Sequence, residues 1–128
     1  MSDPGEVRLP GVMWHVTVTL HGQPQEPGNL ASQLAQLALA HGIGLSARYQ
    51  PDMVELRYWD EGQDCGRVAG NALRLWDGHR EDLGLPSWAV VGLEVLDRSS
   101  FRRRYPPGTR GSEPFTPGVR PLGGQSRP

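Results

Sequence analysis

The chain has 128 residues, of which 37% are apolar, and a net charge of −1. That length suits one domain with its own core, and the low apolar share leaves part of the chain outside it. The single cysteine, Cys65, excludes an internal disulfide and fits a reducing cytoplasm. No apolar run reaches the length of a membrane span, and MSDPGEVRLPG lacks the apolar core of a signal peptide.

Residues 1–11 contain Pro4, Gly5, Pro10 and Gly11 and read as a flexible lead-in. MWHVTVTLH then alternates strictly, with Trp14, Val16, Val18 and Leu20 on one side and His15, Thr17, Thr19 and His21 on the other. A period of two with β-branched residues predicts a half-buried strand. NLASQLAQLALAH places Leu30, Leu34, Leu37 and Ala38 on one helical face, and Gly42 stops it. Pro27 suits a helix start because its missing N–H is an orphan there, and Gly28 or Asn29 is the expected N-cap.

IGLSARYQ and MVELRYWD alternate again around Pro51-Asp52 and predict a tight hairpin. Its inward set is Ile43, Leu45, Ala47 and Tyr49, then Val54, Leu56 and Tyr58. Asp64 is placed to cap a second helix, with Cys65, Val68, Ala72, Leu75, Trp76 and His79 as its stripe. WAVVGLEVL closes the series with Ala89, Val91, Leu93 and Val95 inward.

The order β-α-β-β-α-β predicts an α+β, ferredoxin-like domain over residues 12–100, a four-stranded antiparallel sheet with two helices on one face. From Phe101 onward Pro and Gly are dense and apolar periodicity vanishes, so 101–128 read as a disordered tail. Charge divides at the same place. Residues 1–100 carry seven Arg against thirteen Asp and Glu, a balance of −6; residues 101–128 carry six Arg and one Glu, a balance of +5. Lysine is absent throughout.

Two regions carry candidate sites. The first is the turn into the first helix, Gln25, Glu26, Pro27, Gly28, Asn29 and Leu30. With Leu34, Leu37 and Gly42-Ile43-Gly44-Leu45, it resembles the amino-acid-binding ACT domain across roughly residues 14–60. That resemblance implies a small effector bound at this turn, often across a dimer interface. It departs where the family has an acidic residue two positions before the Pro-Gly. Gln25 stands there, with Glu26 one residue late. The phrases RYWDE, ALRLW and VVGLEVLDR also make the whole chain similar to small proteins of high-GC actinobacteria, a likeness that carries no activity to transfer.

The second is the open face of the sheet, where strand parity puts His15, Thr17, Arg57, Trp59 and Trp88. Aromatic side chains on an uncovered face favour a protein partner or a homodimer. The acidic balance of the domain argues against nucleic acid, leaving the Arg-rich tail as its one route. A deep pocket lined by His15, Arg57 and Trp59 would instead mark a dimeric α+β barrel enzyme. No two histidines show ligand spacing, and Cys65 has no second cysteine or evident base, so neither a metal nor a cofactor is expected. The functional expectation is a non-catalytic cytoplasmic binding or regulatory module with no membrane partner.

Overall fold

The computed structural model describes residues 11–42, 44–108 and 117–122. Five strands and three helices follow in the order β1 (Val12–His21), α1 (Pro27–His41), β2 (Ser46–Gln50), β3 (Met53–Gly62), α2 (Cys65–Leu83), β4 (Ala89–Asp97), α3 (Arg98–Arg104) and β5 (Gly118–Pro121). One sheet contains all five strands in the order β4-β1-β3-β2-β5. The expected split β-α-β framework is present, with β1 and β3 central and antiparallel. The sheet is not four-stranded and purely antiparallel, however: β5 adds a fifth strand, parallel to β2. Both α3 and β5 include residues of the segment whose composition predicts a tail. Residues 1–10, 43, 109–116 and 123–128 lie outside the described residues, and with them the inward place expected of Ile43.

The core follows from the alternation. Val16, Val18 and Leu20 of β1 and Val54, Leu56 and Tyr58 of β3 are buried on the face that carries α1 and α2. Leu30, Leu34 and Leu37 of α1 meet them, with Val68, Ala72 and Trp76 of α2. α1 lies over β2 and β5, and α2 over β4 and β1. Gly42 and Gly84 end the two helices with positive φ, 111° and 68°, a backbone region that favours glycine. The caps differ from expectation in one respect. Glu26, not Gly28 or Asn29, caps α1, because its longer side chain reaches back to the Asn29 amide. Cys65 is the first residue of α2 and is exposed, so it is not part of the buried stripe.

The β4 pattern shifts by one residue. Thr19 pairs with Gly92 and Leu20 with Val90, which leaves Val91 bulged out of the ladder and 59% exposed. A bulge reverses the facing of everything beyond it. Val95 keeps the expected side and packs against the core, Leu93 shares that face opposite Val18 but is 37% exposed, and Val90 takes the inward place predicted for Ala89 and Val91. Trp88 is thereby turned off the open face and into the core, 6% exposed.

There Trp88 stacks on Trp76, with ring centroids 6.1 Å apart and planes 9° apart. Both indoles are satisfied: Trp76 Nε1 donates to the Pro86 carbonyl at 2.8 Å and Trp88 Nε1 to the Gln23 carbonyl at 3.0 Å. The pair thus ties the end of α2 and the start of β4 to the loop leaving β1. Gly22 is what lets the ring in, since a Cβ there would lie 2.1 Å from Trp88 Cδ1. Gly22→Ala is expected to destabilise the fold by about 1–3 kcal/mol. The test is a lowered midpoint in thermal melts together with an altered near-ultraviolet tryptophan signal.

Candidate functional site

The outer face of the sheet is assembled by register. His15 sits opposite Trp59 and Leu96, and Thr17 opposite Arg57 and Glu94. The face predicted from parity therefore exists, and it brings His15, Thr17, Arg57 and Trp59 together. Trp88 is the exception, for the reason given by the bulge.

One end of this face is covered. Asp97 closes β4 and caps α3, its Oδ1 accepting from the Ser100 amide at 2.7 Å. Those hydrogen bonds from Ser100 hold the Asp97 carboxyl below its ordinary range. The short helix so started lays Phe101 against the sheet, with its ring centroid 4.4 Å from His15 and 5.0 Å from Trp59. His15 and Trp59 meet edge to face at 5.1 Å. An edge-to-face cluster of this kind adds about 0.5–1.5 kcal/mol per pair beyond burial. His15 is left 1% exposed. Loss of water, followed by the nearby Arg57 guanidinium, lowers its pKa to about 4. Arg57 itself pairs with Glu55, Nε to Oε1, at 3.2 Å.

Beside this seal lies a cleft of about 490 Å³ lined by Trp59, Arg98, Phe101, Arg102, Tyr105 and Pro107. The rings of Trp59 and Tyr105 are half-buried, so part of each remains open, while Phe101 forms the floor. Arg98 and Arg102 stand four apart on α3, which sets them on one side of the helix roughly 6 Å apart at Cβ. Both are exposed and neither has an ion pair or hydrogen bond among the described residues. The other two arginines of α3 are engaged: Arg104 pairs with Glu94, and Arg103 reaches the Ser99 and Ser100 hydroxyls at 3.5 Å. The nearby carboxylates are engaged as well, Asp97 by Ser100 and Glu94 by Arg104. Arg98 and Arg102 therefore stand beside the aromatic lining of the cleft with no side-chain partner among the described residues, while Asp97 keeps its charge but is turned to the Ser100 amide.

The α1 turn is a different place, at the His21 end of β1, away from α3. Gln25 donates its amide to the Pro51 carbonyl at 2.7 Å and its side-chain nitrogen to the Gln23 carbonyl at 3.1 Å. Glu26 Oε1 accepts from the Asn29 amide at 2.7 Å, Pro27 opens the helix and Leu30 is fully buried in the core. Gly28 lies against the Glu26 carboxylate, 3.1 Å from its Oε1 at the Cβ position. A carboxylate of the chain thus already occupies the place where a helix N-terminus would receive an anion.

Of the cleft residues, Trp59 alone is among the candidate site residues of the sequence. The stretch from Ser99 to Arg104 reads in sequence as a solvated strand exit, with contact to an acidic partner as the alternative, although Asp97 as a cap followed by Phe101 and Tyr105 at i, i+4 is a helix signature. Elsewhere, His41 meets Tyr58 edge to face at 4.6 Å. Burial lowers the His41 pKa and raises that of Tyr58. Among the described residues no group of three or more His, Cys, Asp or Glu is placed to hold a metal ion, and no helix is long and apolar enough to cross a membrane.

Two outcomes are expected of the seal. Unfolded His15 titrates near 6.5 and folded His15 near 4, so between those values the unfolded chain holds more protons. Its contribution to stability is complete above pH 6.5 and is lost as pH falls towards 4, on the order of 3 kcal/mol in all. Denaturant titrations across that window should show the loss, and His15→Leu should flatten it. Phe101→Ala is expected to cost about 3 kcal/mol and to move the His15 titration, followed by NMR, back towards 6.5.

No curated protein and no solved structure matches the chain. A family model described as a domain of unknown function, DUF8830, matches residues 13–112, a span that runs from β1 through α3 and contains the whole cleft. By that match the chain belongs to the DUF8830 family.

Proposed function

We propose that the protein is a non-catalytic binding module that receives a small anionic ligand in the cleft between α3 and Trp59. The observation that carries this reading is the pair Arg98 and Arg102, two exposed guanidiniums with no partner among the described residues, set over aromatic surface. Guanidinium groups bind carboxylate or phosphate through paired N–H donors, and the volume lies within the usual range for small-molecule sites. A catalytic reading centred on His15 loses support because Phe101 covers that ring. Association of two copies would fall on the part of the outer face around Thr17 and Thr19, since α3 covers the end at His15.

The ACT-like alternative puts the ligand at Gln25 to Leu30, where it would have to displace the Glu26 cap. Thermal melts separate the two. A panel of amino acids, aromatic carboxylates and phosphate esters is screened against the wild-type chain, Glu26→Ala, and Arg98→Ala with Arg102→Ala. Ligand at ten times its Kd adds about 1.4 kcal/mol, a rise of roughly 5 °C for a chain of this size. The cleft reading expects that rise to disappear in the arginine variant and persist in Glu26→Ala. The opposite pattern would favour the α1 turn, and no rise with any compound would defeat both.

A further inference from the structure

We infer that the ligand of the cleft is a flat aromatic ring carrying a phosphate monoester, of which a nucleoside 5′-monophosphate is the fitting example. This rests on the cleft being the binding site.

Charge sets the acidic group. Arg98 and Arg102 supply two positive charges one helical turn apart, and the carboxylates near them, Asp97 and Glu94, are held by Ser100 and Arg104. A carboxylate offers a single charge, which one guanidinium neutralises. A phosphate monoester is close to a dianion at neutral pH and has three acceptor oxygens. It can therefore accept from both guanidiniums at once and leave neither uncompensated. Charge-assisted hydrogen bonds of this kind are about twice as strong as neutral ones.

The rings set the rest of the ligand. Trp59 and Tyr105 keep part of their surfaces open beside the two arginines, and stacking of a base on an aromatic side chain contributes about 1–3 kcal/mol. Trp59 has little freedom to rotate away, since His15 lies 5.1 Å and Phe101 5.0 Å from it. A platform already fixed loses less entropy on binding than a mobile one. Size argues for a single unit: about 490 Å³ holds one nucleotide rather than a strand, and the acidic balance of residues 1–100 opposes a long polyanion.

The experiment is calorimetric titration of the full chain with AMP, adenosine, inorganic phosphate, benzoate, phenyl phosphate and a short oligonucleotide lacking a terminal phosphate. AMP is expected to bind at least tenfold more tightly than adenosine, phosphate or benzoate. Its affinity should rise between pH 5.5 and 7.5 as the phosphate takes its second charge, near pH 6. Arg98→Ala and Arg102→Ala should each weaken AMP at least tenfold and leave adenosine unchanged. Both side chains are exposed, so unchanged melting midpoints will show that the variants fold. Trp59→Leu and Tyr105→Ala should weaken adenosine as well as AMP. Phenyl phosphate equal to AMP supports the aryl phosphate class and removes the nucleobase from it. Benzoate equal to AMP, with the same arginine dependence, overturns the phosphate and leaves the cleft reading standing. Tighter binding of the oligonucleotide overturns the single-unit ligand. No arginine-dependent binding of any probe overturns the inference together with the reading beneath it.

Discussion

A β-sheet exposes alternate side chains on two faces, and this one places aromatic or apolar groups on both. The inner set is met by α1 and α2. On the outer face, the His15–Trp59 pair would stand in water without Phe101, and the seating of that ring on both is the contact on which the rest of the outer face depends. It dries His15, orders α3 beneath the Asp97 cap, and fixes Trp59 as one wall of a cleft. The arginines of α3 are then sorted by geometry. Arg103 and Arg104 turn to Ser99, Ser100 and Glu94, while Arg98 and Arg102 stay on the cleft side.

A second constraint acts at β4. Omitting Val91 from the ladder breaks its regularity but turns Trp88 onto Trp76. Two large rings then share one buried place at the end of α2, where both N–H groups find carbonyls. The loop leaving β1 is drawn into the same contact through Gln23, which explains why glycine stands at position 22. The bulge also gives the free edge of β4 an irregularity, a common means by which edge strands avoid pairing with other chains.

The charge division along the chain gains meaning from the third dimension. Read linearly, a −6 domain is followed by a +5 segment. In space, the first arginines of that segment fold back onto the sheet, and only part of their charge is neutralised. The α1 turn, which resembles an effector-binding loop, has instead satisfied its own helix end with Glu26. Of the two regions marked as candidates, one has its helix end capped by its own carboxylate, and beside the other stand two arginines with no side-chain partner among the described residues.

The β-α-β-β-α-β order and the buried sets of β1, α1 and β3 were legible in the sequence. Each rests on local periodicity, and periodicity survives folding because it is a property of neighbouring residues. The Asp64 cap and the stop at Gly42 were legible for the same reason. The side taken by Trp88 was not, because a bulge is decided by how β4 pairs with β1 and leaves no mark in the alternation of WAVVGLEVL. The fifth strand was not, because Gly118–Pro121 is too short and too poor in apolar residues to show a pattern, and is a strand only against β2. Nor was the cleft, which needs Trp59 of β3 and a seven-residue helix forty positions later. The sequence by itself settled which residues form the framework; only the tertiary structure decided which of them meet, since contacts between distant segments depend on register and not on composition.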